Sequence, residues 1–138
     1  HTSDPVNPGD LYGVSKCFGE ALGRYMATQR GVSCICVRIG NFTIPENAKD
    51  EERLDMAPLM CARADMNRLL CRCVDDEDLQ FAIVHGVSDN TFCRMDVTEA
   101  KELLGYDPRE DYFAANPVLR AMGFPERVKA HDERHSGD

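Results

Sequence analysis

Apolar positions Leu11, Val14, Phe18, Leu22 and Tyr25/Met26 recur at three- and four-residue intervals, the period of an amphipathic helix. Asp10 can serve as its N-cap and Gly31 as its C-cap, so the pattern predicts one long helix from Asp10 to about Gln29. Gly13, Gly19 and Gly23 interrupt that helix at about 1 kcal/mol each relative to alanine. Such a cost is tolerated most readily where another backbone packs close.

The pattern then changes period. Val32-Ser-Cys-Ile-Cys-Val-Arg-Ile39 is short, β-branched and nearly continuous in its apolar character, which suits a strand buried on both faces of a parallel sheet. Helix, short turn and buried strand form the repeating unit of α/β architecture. Gly40 to Glu52, with Pro45 and Asn47, reads as a loop. A second helix is expected from about Ala64 to Val74, with Met66, Leu69, Leu70 and Cys73 inward, and the acidic run Asp75 to Asp78 as its solvated end. Gln80 to His85 reads as another strand, closed by Gly86. Asp96 or Thr98 caps a helix that runs through Leu104 and stops at Gly105. A short helical stretch is expected around Asn116 to Met122. His1 to Gly9 reads as a loop, and residues 131–138 as a disordered tail after a folded portion spanning 1–130.

Composition narrows the function. At 138 residues the chain is slightly under one ordinary domain, and 43% hydrophobic residues suffice for a core. A net charge of −8 argues against a nucleic-acid backbone or an anionic membrane surface as partner, since both require clustered Lys and Arg. No 20-residue apolar run and no signal-peptide pattern occur, so a soluble chain is expected. Of the seven cysteines, most lie in hydrophobic or helix-like surroundings, which suggests reduced core thiols and a cytoplasmic location. The pairs Cys34/Cys36 and Cys71/Cys73 are spaced as CxC, closer than the pairs of structural zinc sites, so no metal is expected.

The candidate chemistry lies in Leu11-Tyr-Gly-Val-Ser-Lys16. Tyr12 and Lys16 are four residues apart on a helix, and hence on one face. A nearby ammonium favours the deprotonated form of a phenol, and a tyrosine so tuned can act as a general base. The same spacing also fits an ordinary solvated helix face.

Tyr-x-x-x-Lys, a long helix and a strand ending Arg38-Ile-Gly-Asn-Phe42 together resemble the extended short-chain dehydrogenase/reductases. The stretch Asp10-Leu-Tyr-Gly-Val-Ser-Lys-Cys-Phe-Gly-Glu-Ala-Leu-Gly-Arg24 is similar to the NAD-dependent epimerase/dehydratase family, and within it to the uronate dehydrogenases. Cys36-Val-Arg-Ile-Gly40, Asp65 with Arg68-Leu69 and Cys73, Val84-His-Gly-Val-Ser-Asp-Asn90 and Leu104-Gly-Tyr-Asp-Pro108 extend the resemblance over about residues 5 to 112. It implies hydride transfer from the anomeric carbon of a hexuronic acid to NAD, giving an aldarolactone, with NADP as the alternative cofactor. Tyr12 would take the hydroxyl proton. Lys16 would depress the Tyr12 pKa and bind the nicotinamide ribose, and the backbone at Ile39 would lie beside the nicotinamide. Asn41 stands where the uronate dehydrogenases usually carry a substrate-contacting serine, which puts the substrate in question. Arg53 is the best match to the arginine that grips the uronate carboxylate, although Glu51, Glu52 and Asp55 compete for it. Ala57-Pro-Leu-Met-Cys-Ala62 and Thr91-Phe-Cys-Arg-Met95 replace tryptophan-bearing and aromatic stretches of the family.

The largest departure is an absence. A dinucleotide fold needs a first βαβ unit whose glycine-rich turn brings the pyrophosphate to a helix N-terminus. No such motif and no strand precede Tyr12, and Ser3 is too close to Tyr12 to be the family's catalytic serine. The expected architecture is therefore α/β: the second half of a Rossmann-like parallel sheet with flanking helices, lacking the N-terminal glycine-rich unit. The chain begins at His1, not at methionine. The expected function is a fragment of an NAD-dependent oxidoreductase acting on a sugar acid, with no NAD held tightly by this chain alone. The alternatives are a nucleotide-sugar epimerase or dehydratase, and an inactive remnant that dimerises through the helix of Tyr12 and Lys16, the subunit interface common in the superfamily.

Overall fold

Helix α1 (Leu11–Arg30) is closed at both ends by the residues its sequence offers. The Asp10 carboxylate accepts the Gly13 N–H at 2.7 Å, and Gly31 turns left-handed at φ 67° so that its own N–H reaches the Ala27 carbonyl. The structure is a computed structural model describing residues 1–43 and 51–123, though not the side chains of Thr43 and residues 51–54. The tail at 131–138 and much of the segment after Gly40 lie outside the described residues.

Strand β1 (Cys34–Ile39) follows α1 and pairs in parallel with β4 (Phe81–Gly86), in register from Cys34 opposite Phe81 to Ile39 opposite Gly86. Parallel pairing needs a crossover. Here the crossover carries β2 (Asn41–Thr43), a 3-10 segment (Glu51–Leu59), β3 (Met60–Ala62) and α2 (Arg63–Asp75). The segment expected as a loop after Gly40 thus begins as a strand: β2 pairs in parallel with β3, Asn41 opposite Met60. Three residues are too few to show a period, so the strand left no pattern to read.

Alternation along β1 and β4 sends side chains to two faces. Ile35, Val37, Ala82 and Val84 point to one side, where they pack with Leu69 of α2, with Ala100 and Leu104 of α3 (Thr98–Leu104), and with Tyr106. On the other side Cys34, Cys36 and Arg38 meet α1. β1 is only half-buried along its length, with Ile39 exposed, so its apolar run is not sealed on both faces as expected. Within α2, Met66 and Leu69 are buried and Cys73 is half-buried, but Leu70 faces outward.

An apolar stripe on a helix ordinarily marks its core-facing side. In α1 the arrangement is reversed. Leu11 is 86% exposed and Phe18 67%, with Val14, Leu22 and Tyr25 also open, while the face toward the sheet carries Glu20, Gly23 and the buried Ala27. Gly23 backs directly onto Cys36, the close backbone approach that its low helix propensity suggested.

Asp65, fully buried in the first turn of α2, ties the helix to the segment after α3. Its two carboxylate oxygens accept the backbone N–H groups of Arg109 and Glu110 at 2.9 and 3.0 Å, and the Arg68 guanidinium pairs with the same group. A second cluster gathers Ala57, Met60, Tyr112, Phe113 and Leu119. It involves α4 (Tyr112–Ala115), which the sequence pattern did not suggest, and α5 (Pro117–Ala121), which falls in the short helical stretch expected around Asn116 to Met122 and is capped by Asn116.

The thiols are less uniformly interior than composition suggested. Cys61 is buried, and burial pushes its thiol up to about 12, whereas Cys71 and Cys93 are exposed. Among the described residues no cluster of His, Cys, Asp and Glu is placed to hold a metal, and no helix is long and apolar enough to cross a membrane.

Candidate active site

Tyr12 and Lys16 occupy the first turns of α1 because Asp10 starts the helix two residues before the tyrosine. Four residues of helix then set both on one face. The Lys16 Nζ lies 4.8 Å from the centroid of the Tyr12 ring, within cation–π range. Tyr12 is 70% exposed, so its hydroxyl is open to a small molecule.

Both side chains border a groove between α1 and the C-terminal part of β1, whose strand wall includes Val37, Arg38 and Ile39. Open α/β sheets bind ligands beyond the carboxyl ends of their strands, which is where this groove opens. Of the five residues singled out from the sequence, Tyr12, Lys16 and Ile39 therefore come together. Asn41 does not line this groove. It sits on β2, where its side-chain amide donates to the Met60 sulfur at 3.0 Å. Arg53 falls on the 3-10 segment, and its side chain lies outside the described residues.

The groove also holds a pair that the motif reading passed over. Arg38 reaches from β1 to Glu20 on α1 with a forked contact, Nε to Oε1 at 2.7 Å and the second guanidinium arm to Oε2 at 2.9 Å. A further Arg38 N–H donates to the Thr2 carbonyl at 3.2 Å. The hydrogen bond from Arg38 holds the Glu20 carboxyl below the ordinary glutamate range, against the opposing effect of burial, and the same bond raises the Arg38 guanidinium. A signal for Glu20 was present: positions 12, 16 and 20 advance by four along a single helix face.

These residues fit one end of a dinucleotide. Tyr12 offers a phenol, Lys16 an ammonium, and Ile39 an exposed apolar edge and backbone, donors suited to a ribose and a flat ring. A phosphate cradle is a different matter, because the sequence contains no glycine-rich turn leading into a helix N-terminus.

No protein-family model matches the chain. Individual relatives do. It is 38% identical over 104 residues to an NAD-dependent glucose-6-phosphate dehydrogenase of Haloferax volcanii, covering 75% of this chain and 38% of that protein. A uronate dehydrogenase of Pseudomonas syringae pv. tomato is 29% identical over 130 residues, 94% of this chain and 43% of the relative. The crystal structure of uronate dehydrogenase from Agrobacterium tumefaciens superposes with a TM-score of 0.72 at 29% identity, over 82% of this chain and 40% of that one. The chain thus spans about two fifths of the length of the relatives it matches. Parallel strands, helices on both faces and these matches give it a Rossmann-like α/β fold, and it is homologous to part of the uronate and sugar NAD-dependent dehydrogenases.

Proposed function

We propose that this chain is the proton-transfer side of an NAD-dependent oxidoreductase that oxidises the anomeric carbon of a sugar acid to an aldarolactone. The observation that supports it is the meeting of Tyr12, Lys16 and the Ile39 edge in one groove at the C-terminal end of a parallel strand. Tyr12 takes the proton from the sugar hydroxyl. Lys16 holds an ammonium at the Tyr12 ring and donates to the ribose of the cofactor. The Ile39 backbone flanks the nicotinamide, which accepts hydride when the cofactor is bound. Arg53 offers a guanidinium to the carboxylate of the substrate, whereas Asn41 stands outside the groove with its amide on the Met60 sulfur.

The relatives leave two substrate classes to separate, uronates and other sugars such as glucose 6-phosphate and L-arabinose. Uronates and glucose 6-phosphate carry an anion that an arginine can grip, whereas L-arabinose carries none. The test is NADH formation by the whole protein that carries this sequence, with glucuronate, galacturonate and glucose 6-phosphate in parallel. A rise with either uronate supports the reading. A rise with glucose 6-phosphate alone replaces the substrate and keeps the reaction. No rise with any of them, and turnover of a nucleotide sugar instead, points to the epimerase or dehydratase alternative. Residues 1–138 alone are expected to bind NAD negligibly, because the phosphates find no cradle in them. Tight NAD binding by this chain in calorimetry would overturn that expectation.

A second reading is favoured by the exposed stripe of Leu11, Val14, Phe18 and Leu22, an apolar face uncommon on a free surface. It is that α1 associates with a second copy of the chain. Sedimentation gives the result: a monomer at all concentrations would remove this reading.

A further inference from the structure

Tyr12, Lys16, Glu20 and Arg38 share the groove with the Cys36 thiol, and the pairing of the charged groups could have been different. On α1, Lys16 has Tyr12 four residues before it and Glu20 four residues after it, both within helical reach. A lysine with a carboxylate at that spacing ordinarily forms a weak ion pair, worth a few tenths of a kcal/mol. Among the described residues no Lys16–Glu20 ion pair forms, and Lys16 stands over the Tyr12 ring instead. Both Glu20 oxygens are already engaged, one by each arm of the Arg38 fork. A forked, partly buried charge-assisted pair outcompetes a single flexible ammonium for the same carboxylate.

We infer that Arg38 is a positioning residue: by occupying both oxygens of Glu20 it keeps that carboxylate from drawing Lys16 away from Tyr12. Arg38 acts through Glu20, to which its guanidinium is bonded. The inference deepens the reading of Tyr12 and Lys16 as the working pair and rests on it for its functional meaning. Its structural content is independent of any activity. Removing Arg38 frees an acceptor one helical turn below Lys16, and the lysine turns down to it. Removing Glu20 as well takes away the competing acceptor, so Lys16 returns to the ring.

That reversal separates positioning from simple support of the fold. An ammonium stem lying against an aromatic ring shows its ε-methylene protons shifted upfield by the ring current. The experiment is proton–carbon NMR of the Lys16 ε-methylene in the 138-residue chain, assigned with Lys16→Arg and with Tyr12→Leu as the ring-free reference. Arg38→Met is expected to remove most of the upfield shift. Glu20→Gln alone is expected to leave it in place, and Glu20→Gln with Arg38→Met to restore it. Arg38→Lys, a milder change that cannot fork across both oxygens, is expected to fall between. An unchanged shift in Arg38→Met, or a double variant no better than Arg38→Met, overturns the inference. If Arg38→Met unfolds, Arg38→Lys with and without Glu20→Gln decides by the same comparison. In the whole protein the parallel expectation on Arg38→Met is a loss in kcat with a raised KM for NAD, at little-changed KM for the sugar, and recovery of both in the double variant. Absence of dehydrogenase activity in the unsubstituted protein would defeat the functional reading while leaving the NMR result standing.

Discussion

Gly23 is pressed so close to Cys36 that a β-carbon placed on it would lie 3.3 Å from the Cys36 sulfur and 3.7 Å from the Cys34 β-carbon. This contact sets how α1 lies on the sheet. A small residue lets the helix backbone approach β1, and the approach brings Glu20 within reach of Arg38 and the Tyr12/Lys16 face beside Ile39. The helix therefore docks by its small and polar side and leaves its apolar side outward.

Substitution at Gly23 should separate propensity from packing. Alanine gains about 1 kcal/mol of helix propensity but places its methyl 3.3 Å from a sulfur that must yield a few tenths of an ångström. Gly23→Ala is therefore expected to change stability by less than about 1 kcal/mol in either direction. Gly23→Leu has no room and should cost about 1–3 kcal/mol. Urea unfolding followed by circular dichroism checks both, and a neutral Gly23→Leu would show that α1 does not bear on β1 as described.

Gly40 is held by a different contact. A β-carbon there would stand 2.1 Å from the Leu59 carbonyl oxygen and 2.6 Å from a Val87 methyl. A backbone oxygen cannot step aside as a side chain can. Gly40→Ala is expected to cost about 3 kcal/mol or more, by forcing β1 and the β2–β3 pair apart. Gly86→Ala is the comparison, since its β-carbon would meet only side-chain ends, of Leu69 and Val37 at 3.0 Å and of Met66 at 3.2 Å. Equal denaturation midpoints for the two variants would contradict this.

These two glycines show what a sequence can and cannot disclose. The caps of α1, the β1 and β4 strands and the Gly105 stop of α3 were legible, because each rests on local residue chemistry: Asp10 accepting an N–H, an apolar run, a glycine turning left-handed. The contact of Gly40 with Leu59 is made across 19 residues and leaves no periodic trace. β2 was hidden for the same reason, since its pairing with Met60 is tertiary. In the groove, Tyr12, Lys16 and Ile39 were found by motif, whereas Arg38 looked like one polar break in an apolar strand. Its bond to Glu20 joins two elements that only the fold brings together.

The Glu20–Arg38 pair should also be visible in the pH dependence of stability. Arg38 lowers the folded-state pKa of Glu20, so in acid the unfolded chain binds a proton that the folded chain resists. The stabilisation is fully present above the unfolded carboxyl pKa of about 4.3 and is lost as pH falls through the lower folded value. Glu20→Gln has no carboxylate to lose. Between neutral pH and about pH 3, the urea midpoint of the unsubstituted chain should therefore fall more than that of Glu20→Gln. Parallel declines would mean that the fork contributes nothing to folding.

Tyr12→Phe is the sharpest test of the proposed chemistry, because it removes one hydroxyl and keeps the ring over which Lys16 lies. General acid–base groups contribute about 10²–10⁴-fold to rate, so the variant of the whole protein should lose turnover by at least that range. NAD affinity, carried mainly by the phosphates and adenosine rather than by this phenol, should stay nearly intact. The pair of measurements is NADH formation and NAD titration by calorimetry on the same preparation. Activity retained within a few-fold would remove Tyr12 from the proton-transfer role. A matching collapse of NAD affinity would instead make Tyr12 a support for the cofactor site. Lys16 discriminates further, since Lys16→Met takes away both the ammonium at the ring and the proposed ribose donor. It should therefore weaken NAD binding and slow turnover together, where Tyr12→Phe slows turnover alone.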